Sequence, residues 1–167
     1  MNSIQIDKYQ KGDETKIYQL IKKVYDEFVA SDYTSEGNIF FYNWIQPAET
    51  AKRQSEGRIM LVAKSKKNIV GVIEIRDYNR ISLLFVDKEY QGQSIAKNLF
   101  HKSLESCIQK DSTITKFYVN ASPFSIPIYK KLGFIEVNSL QENNGIKYLP
   151  MEIDISPKKI NRNTENI

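Results

Sequence analysis

The stretch ISLLFVDKEYQGQSIAKNLFHKSLESCI, running from Ile81 to Ile108, changes its periodicity in the middle. Ile81 to Val86 is almost entirely β-branched, aromatic or Leu and stops at Asp87-Lys88-Glu89, and so short an apolar run predicts a buried strand. From Ile95 onward the apolar residues fall at Ile95, Ala96, Leu99, Phe100, Leu104, Cys107 and Ile108. That spacing lines one face of a helix of about four turns. The stretch therefore predicts strand, turn, helix.

The turn, Tyr90-Gln91-Gly92-Gln93-Ser94-Ile95-Ala96, is rich in small residues where the helix must begin. A helix N-terminus leaves about four backbone N–H groups without intrahelical partners, at the positive end of the macrodipole. A pyrophosphate fits there when small side chains let its oxygens reach the backbone. On this reading Gln91 and Gln93 add neutral donors, Lys97 adds a cation, and the ligand is a phosphate-carrying cofactor. The alternative is a plain connecting loop that contains one glycine. Neither a dinucleotide fingerprint nor a P-loop is present.

With 167 residues, 41% of them apolar and 26% charged, the chain suits one globular domain. No apolar run approaches the roughly 18 residues of a membrane span, and the N-terminus has no signal-peptide core, so a cytoplasmic location is expected. Cys107 lies on the apolar helix face and reads as a buried, inert thiol rather than a nucleophile. The single histidine, His101, has no cysteine or second histidine to share a metal and is expected on the solvent side of the helix. The net charge is +4, but Lys22-Lys23, Lys66-Lys67, Lys130-Lys131 and Lys158-Lys159 are scattered. Nucleic acid is therefore not the expected partner, whereas a small polyanion would be drawn in by the same field.

Working outward, Ile4 and Ile6 alternate with polar residues as a first strand. Asp13 is placed to cap a helix over residues 14 to about 30, whose apolar face is Ile17, Leu20, Ile21, Val24 and Phe28. Ser31 to Gly37 reads as a turn. The aromatic cluster Ile39 to Ile45 points all round, so it is either a second helix wedged between partners or part of a ligand wall. Ile59 to Ala63 and Ile69 to Arg76 form a hairpin. Glu74 sits mid-strand among apolar neighbours, which suits either a general base of raised pKa or a carboxylate paired with a nearby Lys or Arg.

Beyond the central helix, Thr113 to Asn120 reads as a strand joined by a parallel crossover. Ser125 is placed to cap a short helix that Gly133 stops. Phe134 to Val137 and Ile146 to Ile155 pair around Asn144-Gly145, with Pro150 marking an edge or bulge, and from Ser156 the chain is a polar tail.

This order of elements, together with YQGQSIAKNLF and NASPFSIPIYKKLGF, resembles the GNAT superfamily of acyl-CoA-dependent N-acyltransferases over roughly residues 4 to 155. Gln91 to Ala96 looks like the family's pyrophosphate loop, Gln/Arg-x-x-Gly-x-Gly/Ala, and the second segment like its last helix, with Tyr-x-Lys-Leu-Gly-Phe ending at Phe134. The resemblance implies an α/β domain over 1–155, with a mixed sheet flanked by helices on both faces and a central parallel strand pair that splays. It implies acetyl-CoA as co-substrate, its phosphates on Gln91, Gly92, Gln93, Ser94, Ile95, Ala96 and Lys97. The pantetheine arm would bond backbone groups of Leu84, Phe85 and Val86, with Asn120 and Ser125 on the opposite wall. Tyr129 corresponds to the usual general acid, the other role for it being a packed aromatic with its hydroxyl bonded to backbone. Ser94 departs from the pattern, since it stands where the family has glycine.

The resulting expectation is an N-acetyltransferase moving an acetyl group from acetyl-CoA to a primary amine by direct attack, with Glu74, directly or through water, as base and Tyr129 as acid. No metal is implied, and monomer and homodimer are both open. The alternative is a non-catalytic acyl-CoA sensor or interaction module on the same fold.

Overall fold

Residues 3–157 are described in the computed structural model; the expected tail from 156 lies, beyond 157, outside them. In chain order the elements are β1 (Ile4–Lys8), α1 (Glu14–Phe28), α2 (Ser35–Trp44), α3 (Pro47–Ser55), β2 (Ile59–Ser65), β3 (Asn68–Arg76) and β4 (Arg80–Val86). They continue with α4 (Ile95–Lys110), β5 (Lys116–Ala121), α5 (Ile126–Leu132), β6 (Ile135–Glu136), β7 (Gln141–Asn143) and β8 (Ile146–Asp154). The sheet order is β1-β2-β3-β4-β5-β8-β6, with β7 also on β8. Every pairing is antiparallel except β4 with β5.

Alternation along the central strands, reset at the bulges, divides their side chains between two cores. Met60, Val62, Val72 and Leu83 face α1 through Ile17, Leu20, Ile21 and Val24. Leu61, Ala63, Ile73, Ile75 and Phe117 face α4 and α5 through Ile95, Leu99, Phe100, Cys107 and Tyr129. Helices thus cover both faces, which explains why β2 and β3 read as nearly continuous apolar runs. Gly71 lets α4 close on the sheet, since a Cβ there would lie 3.0 Å from Ile95 Cγ2 and 3.1 Å from Leu99 Cδ1. Cys107 is fully buried and its thiol is pushed up to about 12 by desolvation, as an inert core residue should be. His101 is exposed.

The feature that positions the site is the separation of β4 from β5. Their parallel pairing consists of Arg80 with Tyr118 and Ile81 with Val119. From Leu83 to Val86, β4 keeps β3 on one side and, among the described residues, has no strand on the other. The separation coincides with a bulge. Glu74 faces Leu83 while Ile75 faces Ile81, so Ser82 is the extra residue on β4. A bulge bends its strand and raises the local twist, which is what parts two parallel neighbours.

Several local expectations need correction. Asp13 does not cap α1: its backbone is already helical (φ −77°, ψ −14°) and its carboxylate accepts from Gln10 N–H at 3.0 Å. Glu14 takes over the end of the helix, accepting from Gly12 N–H at 2.8 Å and from the Tyr9 hydroxyl. The segment read as a turn over Ser31 to Gly37 already contains the first residues of α2, capped by Thr34 Oγ1 accepting from Gly37 N–H at 3.2 Å. A third helix, α3, starts at Pro47, where proline's missing donor costs nothing. β5 begins at Lys116 rather than Thr113. The Asn144-Gly145 turn joins β8 to β7, not to the segment after Phe134, while β6 pairs further along β8. Pro150 lies on β8 between the residues paired with β7 and those paired with β6, where its missing N–H interrupts no ladder.

Candidate active site

The loop after β4 makes one short 3₁₀ turn over Lys88–Tyr90 and enters α4 at Ile95. The first N–H taken up by α4 is that of Asn98, accepted by Ser94 C=O at 2.9 Å. The amides of Ile95, Ala96 and Lys97 therefore precede the helical ladder and point out of its N-terminus. Ser94 holds left-handed backbone (φ 62°, ψ 16°) and its hydroxyl caps nothing. Left-handed backbone costs a residue with a Cβ about 1 kcal/mol or more. Replacing it with glycine removes that cost but adds unfolded-state freedom. Ser94→Gly is therefore expected to raise the unfolding free energy by about 0.5–1 kcal/mol, read from the urea midpoint at unchanged slope. An unchanged or lower midpoint would mean that the strain is relieved elsewhere.

Each of the two loop glutamines makes one local hydrogen bond with its side-chain amide, which has a second N–H. Gln91 Nε2 donates to Val86 O at 3.1 Å, tying the loop to the end of β4, and Gln93 Nε2 reaches Glu89 O at 3.5 Å.

A cleft of about 520 Å³ runs from this loop along the open edge of β4 to α1 and α2. Leu84, Phe85, Val86, Gln91, Gly92, Ser94, Ile95, Ala96, Lys97, Asn120, Ser125 and Tyr129 all line it; Gln93 and Glu74 do not. On the β5 side, Ser122 Oγ donates to Ser125 Oγ at 2.9 Å, and Ser125 Oγ donates to Ser122 O at 2.9 Å. Ser125 thus stands at the N-terminal boundary of α5 without capping it.

Tyr129, on α5, is 4% exposed, and its ring packs edge-on to Phe134 with centroids 5.4 Å apart. Desolvation holds its pKa well above the ordinary tyrosine value, keeping it neutral. Among the described residues no group hydrogen-bonds its hydroxyl. The backbone-bonded alternative is therefore not what the structure shows.

Glu74 takes the paired alternative. It is fully buried, and both its oxygens are occupied. Arg53 Nε donates to Oε1 at 3.2 Å and Oε2 at 3.3 Å, Arg58 Nη1 to Oε1 at 3.1 Å and Gln54 Nε2 to Oε2 at 2.9 Å. Arg53 also stacks on the Trp44 ring at 3.8 Å and donates to Trp44 O at 2.5 Å. Arg58 Nη1 extends the network to Ser82 Oγ at 2.9 Å, the bulge residue that lines the cleft. A carboxylate held by two guanidiniums and an amide, away from the cleft, is in no position to take a proton from a ligand in it.

Ile39 to Trp44 lies in α2, but with Ile39 and Phe40 exposed the helix is not wedged between partners on all sides; of this segment Phe41 lines the cleft. Missed from the sequence were Tyr25, Tyr33 and Phe124. Tyr25 looked like one more residue of an amphipathic helix, and only its stack on Phe41, at 4.0 Å, reveals its second role.

The profile of the acetyltransferase (GNAT) domain matches residues 29–155. Among curated proteins no relative matches the chain. Among solved structures, a GCN5-related N-acetyltransferase from Rhodopseudomonas palustris superposes with a TM-score of 0.76 at 20% identity, covering 92% of this chain and 97% of that one. The PaiA N-acetyltransferase from Thermoplasma acidophilum, solved with coenzyme A, gives 0.71 at 19% identity over 91% and 99%. A GNAT-family acetyltransferase from Staphylococcus aureus Mu50 gives 0.68 at 19% identity over 92% and 100%. At these identities the structures speak for the fold, and the profile match, spanning most of the sequence and both motifs, shows that this chain belongs to the GNAT acetyltransferase family.

Proposed function

We propose that the protein transfers an acetyl group from acetyl-CoA to a primary amine, by direct attack, in the cytoplasm. The observation that carries this reading is the cleft itself. One continuous opening joins the free amides at the start of α4, the unpaired edge of β4 and Tyr129, whose phenol is kept neutral by burial.

The residues fit such a ligand. The amides of Ile95, Ala96 and Lys97 and the Lys97 ammonium suit a pyrophosphate, and Gly92 has no atom within 4 Å of where its Cβ would be. The β4 edge from Ser82 to Val86 offers extended backbone groups to an amide-bearing arm. Acetyl-CoA supplies the activated acyl carbon. Backbone N–H groups of β4 at the bulge polarise its carbonyl as an oxyanion site does. As the carbon–nitrogen bond forms, the attacking nitrogen releases its extra proton to solvent; as the carbon–sulfur bond breaks, Tyr129 donates its proton to the departing sulfur and is reprotonated from solvent. The lining contains no carboxylate or imidazole, and Glu74 is spent on arginines, so the amine reacts after losing its proton to water.

The test is thermal unfolding with acetyl-CoA, coenzyme A and ATP. A ligand at about 100 times its dissociation constant stabilises the native state by roughly 2.7 kcal/mol. A larger shift with acetyl-CoA and coenzyme A than with ATP is expected. No shift at millimolar acetyl-CoA would overturn the reading. Binding without transfer to any amine in a broad panel would favour an acyl-CoA sensor.

A further inference from the structure

The part of the cleft lined by α1 and α2 has a composition of its own. Tyr25 and Phe41 are stacked at 4.0 Å with an interplanar angle of 11°. Tyr33 meets Tyr25 edge-on at 5.8 Å, and Phe41 reaches Phe85 of β4 at 6.2 Å. Phe124, next to Ser125 in the lining, stacks on Phe28 at 4.5 Å. Tyr33 and Phe41 thus line the cleft from the side of α1 and α2, facing β4 at Phe85.

No Asp or Glu lines the cleft among the described residues, and the charged groups that do are Lys97 and Lys131. The carboxylates around it are engaged elsewhere: Asp26 with Lys22 and Tyr42, Glu27 with Lys88, Asp87 with Lys23. Asp32 adjoins Tyr33 in sequence but lies outside the lining. A second ammonium carried into this space would lose its water without gaining a counter-ion, which is strongly unfavourable. An aryl body would bury its area against the rings and gain stacking besides.

Resting on the acetyltransferase reading above, we infer that the acceptor is a monoamine on an apolar, preferably aromatic body, and that Tyr33 and Phe41, backed by the buried Tyr25, select it against polyamines and other polycations. Desolvation keeps the Tyr25 phenol neutral, and its hydroxyl donates to Asn38 Oδ1 at 2.6 Å, so this wall carries no negative charge.

The experiment measures binding to the coenzyme A-saturated protein by thermal shift and calorimetry, and acetyl transfer from acetyl-CoA by thiol release. Its probes are 2-phenylethylamine, hexylamine and 1,4-diaminobutane. 2-Phenylethylamine is expected to bind and to react with a kcat/KM on the order of a hundred-fold above that of the diamine. Hexylamine should fall between them. Phe41→Leu, which keeps an apolar side chain in the wall, should lower the preference for phenylethylamine over hexylamine. A diamine that binds or reacts as well as phenylethylamine overturns the inference, as does failure of all three to bind. Loss of the coenzyme A shift itself would instead overturn the acetyltransferase reading, so the two failures are told apart.

Discussion

Glu74→Gln is expected to lower the unfolding free energy by about 3 kcal/mol, because it leaves two guanidiniums without their counter-charge in the core. Arg53 is 5% exposed and Glu74 fully buried, so little solvent is available to screen the loss. Arg58, whose side chain is 21% exposed, recovers part of its hydration, which keeps the figure at the lower end of the usual range for broken buried pairs. Urea unfolding of wild type and variant checks it, with the slope held constant. The same variant separates this role from that of a general base. A base would be lost at little cost to stability, and with it the limb of the pH–rate profile that reports its ionisation. Here the fold weakens, and the folded fraction retains a pH profile set by the acceptor amine. A variant as stable as wild type but slower by a hundred-fold or more would sink this account.

The network has a further consequence for the site. Glu74 holds Arg58, and Arg58 holds Ser82 at the bulge where β4 leaves β5. An ion pair on one side of the sheet thus braces the geometry of a cleft that neither charged partner lines.

The second large effect is on rate. Tyr129→Phe is expected to lower kcat by about 10²- to 10³-fold, the usual worth of a positioned acid. Its ring packing against Phe134 survives the change, so stability should stay within about 1 kcal/mol of wild type. The folded pKa of Tyr129 is raised by burial. The stability from keeping it neutral is fully present below about pH 10, the ordinary tyrosine value, and is lost as pH climbs above it. The rate should therefore show no falling limb from this residue below about pH 10. Measuring kcat across pH for both proteins checks the point. A Phe variant at the wild-type rate throughout removes Tyr129 from the mechanism.

Much of the architecture was legible because it rests on local periodicity. The change of period between Ile81–Val86 and Ile95–Ile108 determined a buried strand followed by an amphipathic helix, and β4 and α4 start within a residue of that reading. The apolar face of α1 and the small residues ahead of α4 were visible for the same reason: backbone geometry repeats every 2 or 3.6 residues, and side chains record it. Elements with weak periodicity were harder to see. α3 has few apolar residues, and Pro47 looks like a stop although it is a start. β7 is three residues long and is defined only by its partner β8.

Tertiary structure alone decided what each chemical group does. Arg53 and Arg58 precede Glu74 by 21 and 16 residues, and no local rule says that a strand carboxylate will meet a helix guanidinium. Gln91 and Gln93 had the composition of ligand donors, and only the fold shows that one amide N–H of Gln91 goes to the end of β4 and one of Gln93 to Glu89. Tyr25 and Tyr33 carried no signal of a binding wall until α2 brought Phe41 beside them. The sequence by itself determined which segments are buried, which are helical and where the loop meets the helix, since those depend on neighbours within a turn or a pleat. The separation of β4 from β5, the pairing of Glu74 and the aromatic, carboxylate-free end of the cleft depend on contacts between distant residues, and only the folded chain brings those together.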